Sequence, residues 1–361
     1  MTFEMPAVVR ERHPYFMHDE LQAQPTALRR AFAAGRDAGG RELLNDREPI
    51  YLTGCGTSFH AAITSEFWLR TLGVAPNARA VEAFELTTGP YPFASSTVVA
   101  FSQSGGKGAT VSAAARARRG GAEVLSVIGH EDSPLAGAAS RVVWTGYPDE
   151  VSWAHTISYT TSLMAFLGLV IDLTGPDDEL VEQAERLPDA VGAQLREDAP
   201  LQQLAAHVGG RSRVFVIGSG ANYGTALETA LKLRETSYKH ADAQNAEYFL
   251  HGPISSLDSE ALVVAIAPPD DVRARTLDVL RATRTIGAPT IVLGEIGDGE
   301  LREVADYFIE LAPLREELTP LLYIVPLHML SYWLAVEAGL NPDLIRRDQR
   351  QYREAREAYE L

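Results

Sequence analysis

The sequence predicts an α/β protein of two tandem domains, each a parallel sheet flanked by helices in three layers. Three observations carry this. Short apolar runs end in glycines and pass into helically spaced segments. The same order of runs returns at an offset of roughly 160 residues, a period that signals a duplicated domain rather than a solenoid. The length of 361 residues exceeds what one small core needs and suits two domains.

The elements follow in order. Residues 1–40 read as a helical arm, with Leu21, Leu28 and Phe32 at helix-compatible spacing. Residues 49–56 are a short apolar strand closing on glycines, and a helix follows. Residues 96–105 repeat the strand, an Ala-rich helix covers 109–119, and 122–129 form a third strand. In the second half, 213–221, 261–268 and 288–294 echo the three strands in turn. Strands alternating with helices imply parallel sheets covered on both faces. The boundary is expected near 174–176 or in the acidic segment 178–198. This gives domains at 41–185 and 195–340 and a polar, then helical, tail at 341–361. The longest apolar stretch, 321–336, contains Pro326 and His328 and falls short of the roughly 20 residues a spanning helix needs. It reads as a buried helix.

Composition narrows the function. Lys and Arg number 32 against 48 Asp and Glu, a net charge of −16, which would repel nucleic acid or an anionic membrane. Hydrophobic residues at 46% and charged residues at 22% are those of a globular chain, not a disordered one. The single cysteine, Cys55, excludes a disulfide framework within the chain and suits a reducing cytoplasm. The N-terminal residues carry charge from Glu4 onward and lack the apolar core of a signal peptide.

In parallel sheets ligands sit beyond the carboxyl ends of the strands, where helix N-termini favour anions. Two loops fall there. Cys55, Gly56, Thr57 and Ser58 end the first strand; Ser102, Gln103, Ser104 and Gly105 end the second, followed by Lys107. Neither matches GxGxxG or GxxxxGK[ST], so no nucleotide or nicotinamide site is expected. Hydroxyl and glycine residues at two corresponding strand ends outweigh the reading of each as a mere turn. Glu228, Lys232, Glu235 and Lys239 make a stripe on a helix over 225–240, which from spacing alone reads as a solvated salt-bridge face. His251 precedes Gly252 and Pro253 in a turn.

The run Cys55-Gly56-Thr57-Ser58-Phe59-His60, the run Ser102-Gln103-Ser104-Gly105, residues 227–244, the triplet His251-Gly252-Pro253 and residues 323–332 resemble the sugar isomerase (SIS) domain family. Within it they resemble the isomerase half of glucosamine-6-phosphate synthases. The resemblance runs in order over about residues 45–350 and spans both repeats. It implies an enzyme for a ketose phosphate or amino-sugar phosphate. Thr57, Ser58, Ser102, Gln103 and Ser104 would hold the phosphate, with Cys55 and Gly56 in the same loop. Glu235 would move a proton between C1 and C2, Lys232 would line the site, and His251 would assist ring opening from the neighbouring subunit of a homodimer. No cofactor and no metal is expected, since the sequence has no HExxH or comparable ligand spacing.

The chain departs from that pattern. It begins without an N-terminal nucleophilic cysteine, so glutamine-dependent transfer is not expected of it, and Cys55 lacks a paired His for nucleophilic work. Lys107 replaces a threonine and would either add charge to the anion pocket or face solvent. Arg350 stands where the synthases place an imine-forming lysine, and arginine stays protonated. Trp153 and His155 replace small residues, so His155 is either an added acid/base or a packing residue. The sequence therefore points to an isomerase or deaminase/isomerase acting through an enediol or enolamine. Two alternatives stand beside it: an isomerase of a non-phosphorylated anionic hexose, for example a sulfonated one, held by Lys107; and a non-catalytic sugar-phosphate sensor.

Overall fold

A computed structural model describes residues 8–40, 44, 48–106, 108–147, 150–174 and 177–359. Lys107 lies outside the described residues, as do Gly175 and Pro176 of the expected boundary. The chain divides into two compact units, one around Ala23–Pro188 with the chain from Leu344, the other Arg10–Gln22 with Asp189–Asp343.

The first unit holds strands β1 (Ile50–Thr53), β2 (Arg79–Ala80), β3 (Thr97–Ser102), β4 (Glu123–Ile128) and β5 (Arg141–Trp144), all parallel, in the order β2-β1-β3-β4-β5. Leu52, Val99 and Leu125 line one face and the adjacent row Tyr51, Val98 and Val124 the other, all buried, so the sheet centre is apolar on both faces. The second unit repeats the design with β6 (Arg213–Ile217), β7 (His240–Gln244), β8 (Ala261–Ile266), β9 (Thr290–Glu295) and β10 (Tyr307–Leu311), in the order β10-β9-β8-β6-β7. β6, β8 and β9 thus take the places of β1, β3 and β4. The expected fold is observed. The strands not foreseen, β2, β5, β7 and β10, are sheet edges or short, with exposed or polar residues such as Arg141, Val142 and His240.

Helix Ile157–Ile171 is buried along its whole length. Helix Phe16–Asp37 crosses it closely enough that a Cβ on Gly35 would fall 1.9 Å from the Ala165 carbonyl oxygen. In the second unit helix Thr319–Glu337 is buried from Thr319 to Ala335, as its apolar sequence requires. Segment Arg10–Gln22 is pinned to this unit by polar bonds. His13 Nδ1 meets the Tyr332 hydroxyl at 2.7 Å, and Asp343 accepts the Phe16 and Met17 N–H groups at 2.9 and 2.8 Å.

In both units the chain leaves β1/β3 or β6/β8 toward opposite faces, which opens a crevice at their carboxyl ends. The two crevices differ in chemistry. The second has Ser219 to Asn222 after β6 but Pro268, Pro269, Asp270 and Asp271 after β8. Its Ala221 N–H is already taken by the Glu316 carboxylate. Burial, reinforced by Glu316, pushes the Asp270 carboxyl up to about 6.

That carboxyl holds its proton more tightly folded than unfolded, so it weakens the fold once pH rises through about 6 and is harmless below about 4. Asp270→Asn is expected to stabilise the protein by about 1–2 kcal/mol at pH 8, after discounting for its partial exposure, and to change little at pH 4. Thermal melts at the two pH values check this.

Candidate active site

The first crevice is built by two loops. After β1, Gly56 takes the left-handed φ of 53° and the chain enters helix Thr57–Thr71, which places Thr57 and Ser58 in its first turn. After β3, the hydroxyls of Ser102 and Ser104 accept the N–H groups of Gly105 and Gly106 at 3.1 and 3.3 Å. Gln103 donates through Nε2 to the Tyr147 carbonyl at 2.9 Å, and its own carbonyl accepts the Gly129 N–H. The loop is thereby fixed to the ends of β4 and β5. The loops also meet each other, because Cys55 Sγ lies 3.7 Å from Thr110 Oγ1 in the first turn of helix Ala109–Arg119. Two helix N-termini thus face one hydroxyl-lined crevice, the arrangement that favours an anion.

The surroundings of Cys55 disfavour its thiolate. Burial, reinforced by Glu82, pushes its thiol up to about 11, and the thiol donates to Glu82 Oε1 at 3.2 Å. Glu82 Oε2 meanwhile accepts from Phe84 and Glu85 at the start of helix Ala83–Thr88.

In the second unit helix Tyr223–Thr236 carries the acid-base stripe. It stops earlier than expected: Ser237 caps it and Tyr238 takes φ 57°, so Lys239 leaves the stripe. The Lys239 ammonium instead donates to the Gly209 and Arg211 carbonyls, both at 2.7 Å. The remaining three residues are not a solvated face. Lys232 is 0% exposed, its Nζ 2.5 Å from Glu235 Oε2 and 3.4 Å from Glu228 Oε1, and Glu228 is itself 0% exposed. Only the Glu235 side chain reaches solvent, at 25%. His328 of helix Thr319–Glu337 brings Nε2 to 3.9 Å from Glu228. A one-sided stripe of charge in sequence cannot reveal whether an apolar helix covers it. Here His328 within the apolar run was the signal that polar partners lay opposite.

The other candidate residues are dispersed. His251 follows helix Ala246–Leu250, is largely exposed, and meets Glu247 at 2.7 Å. Arg275 also binds Glu247 and helps hold that carboxyl below the usual range. Arg350 opens helix Arg350–Arg356, is 83% exposed, and pairs with Glu354 at 2.6 Å. His155 lies in the first unit, its Nδ1 2.8 Å from Glu150. Glu150 and Glu82 are the polar residues that sequence reading passed over.

The SIS domain family model matches residues 43–172 and 210–338. The glutamine–fructose-6-phosphate aminotransferase (isomerizing) of Methanothermobacter thermautotrophicus is 33% identical over 334 residues, covering 92% of this chain and 56% of that protein. The chain therefore spans little more than half the length of that relative. The C-terminal domain of glucosamine-fructose-6-phosphate aminotransferase from Francisella tularensis has the same fold, with TM-score 0.83 at 24% identity over 92% of this chain and 98% of that one. Tagatose-6-phosphate ketose/aldose isomerase from Escherichia coli aligns with TM-score 0.79 at 22% identity over 94% and 97% of the two chains. With both of its sheets matched by the model, the chain belongs to the SIS domain family and is homologous to the isomerase portion of glutamine–fructose-6-phosphate aminotransferases.

Proposed function

We propose that the protein is a phosphosugar isomerase, or deaminase/isomerase, working through an enediol or enolamine. The observation that carries this reading is the ion trio of helix Tyr223–Thr236. A carboxylate, Glu235, is left partly open while its lysine and a second carboxylate are fully buried. Burying charge costs several kcal/mol per ion even when paired. A module that only bound a sugar phosphate would gain nothing from that cost. A base that must hold one position and stay ionised does.

In this reading Thr57, Ser58, Ser102, Gln103 and Ser104 take the anion, Glu235 moves the proton between C1 and C2, and Lys232 fixes Glu235. His251 assists ring opening across a homodimer interface, as the family resemblance implies. Arg350 cannot form an imine, so that step is left to other residues or does not occur. The acidic crevice of the second repeat argues for one anion site per chain. Of the rival readings, a non-phosphorylated anionic hexose would need the Lys107 cation, and a sensor would leave Glu235 with no chemical task.

Exchange of the C1 and C2 protons in deuterated water tests the proposal by NMR. Fructose 6-phosphate, glucosamine 6-phosphate with and without ammonium, and unphosphorylated anionic hexoses are the probes. Exchange with a phosphorylated sugar that falls by at least about 100-fold in Glu235→Gln is the expected result. Binding without exchange on any probe would favour the sensor. Exchange only on unphosphorylated sugars would favour the other alternative. Lys232→Met should strand the buried Glu228 charge and cost about 3–5 kcal/mol, read as a fall in denaturant midpoint. Mixing inactive Glu235→Gln and His251→Asn subunits should restore part of the exchange if His251 acts across the interface, and none if each subunit uses its own.

A further inference from the structure

Glu150 and His155 form a second acid-base pair in the first unit. Glu150 is buried, its side chain 1% exposed, while the His155 side chain is 30% exposed. One Glu150 oxygen accepts the N–H groups of Thr156 and Ile157 at 2.6 and 3.1 Å, so it caps the buried helix Ile157–Ile171. The other lies 2.8 Å from His155 Nδ1. Despite burial, the His155 ring and these donors hold the carboxyl below the usual range. An ionised carboxylate can only accept, so Nδ1 carries the hydrogen, and the ring's exchangeable site is Nε2, whose lone pair is the one a deprotonated ring presents. Among the described residues Glu150 is the hydrogen-bond partner of His155.

The surroundings keep the ring in place. Ala154 and Thr156 on either side are fully buried, and the Ser152 hydroxyl accepts the Ala154 N–H at 3.3 Å. Trp153 stands edge-on to the His155 ring at 6.5 Å, and the Arg347 guanidinium lies 3.1 Å over the Trp153 ring. The Tyr147 carbonyl, eight residues before His155, is bound by Gln103 of the anion loop, and the helix that follows His155 packs against helix Thr57–Thr71, which opens from the other loop. Packing alone would not require a buried carboxylate to fix which nitrogen carries the hydrogen.

We propose that His155 is a catalytic base for the oxygen-bound proton and that Glu150 is its positioning residue. This rests on the isomerase reading above. Aldose–ketose interconversion moves one proton on carbon and one on oxygen. His155 Nε2 takes the proton from the hydroxyl beside the carbonyl, and that oxygen's electron pair forms the new C=O bond. Nε2–H then returns the proton to the former carbonyl oxygen, so the ring ends as it began. The carbon-bound proton is the task given to Glu235.

His155→Gln and Glu150→Gln test this with fructose 6-phosphate in deuterated water. Glutamine at 150 keeps an acceptor for the helix cap, but its amide N–H donates to Nδ1 and forces hydrogen onto Nε2. Both variants are expected to keep deuterium uptake into the ketose while aldose formation falls by about 100-fold or more. The 15N spectrum of the His155 ring should show Nδ1–H in the parent protein and Nε2–H in Glu150→Gln. Aldose formation that survives either substitution overturns the proposal. So does loss of deuterium uptake along with aldose, which would mean the substrate is misplaced, and so does an Nε2–H ring in the parent. If the parent protein itself neither exchanges nor converts the sugar, the isomerase reading has failed and takes this inference with it. A parent that is active beside fully active variants sinks the inference alone.

Discussion

The parallel order β2-β1-β3-β4-β5 imposes the constraint on which the first unit depends. Because β1 and β3 are neighbours whose outgoing connections diverge, the carboxyl end of the sheet cannot close between them. Everything placed there has to be small or backbone. Gly56 supplies a left-handed turn, and the serine hydroxyls turn back onto their own loop. Helix N-termini then supply positive potential without a single charged side chain among the described loop residues. A net charge of −16 elsewhere would otherwise oppose an anionic ligand, so the local dipoles have to outweigh a global field that salt screens over about 8–10 Å.

Duplication gave the same crevice twice, and the two have been filled in opposite ways. In the second unit an internal carboxylate, Glu316, occupies a backbone donor at the place where the first unit leaves hydroxyls and helix ends. Asp270 beside it holds its proton more tightly, first through burial and then through the Glu316 charge. The second unit instead carries its buried charge on the flank of helix Tyr223–Thr236, where an apolar helix covers two of three charges. One fold thus carries a dipole-based anion crevice in one copy and a buried ion trio in the other.

The fold was legible because parallel strands buried on both faces must be apolar, and 50–53, 97–102, 123–128, 213–217, 261–266 and 290–295 are short runs of that kind. The edge strands escaped notice because half of their surface is wet and their residues are mixed. The glycine and hydroxyl residues at the strand ends were legible, and the structure brings their two loops together. The burial of Lys232 was not, since helical spacing reports which residues share a face and not what covers it. Glu150 was invisible for a related reason. Its role is to bond backbone N–H groups six and seven residues away and a ring five residues away, and no periodicity encodes such a turn.

The loop around Cys55 bears on how the molecule withstands oxidants. With the thiol pushed up to about 11, only about one molecule in ten thousand would carry a thiolate at pH 7. Peroxides and electrophiles react with the thiolate, so the raised thiol lowers the reactivity of a single sulfhydryl that is itself exposed beside the crevice. A reporter thiol introduced on an exposed helix would likewise be labelled far faster than Cys55, with the native residue left in place.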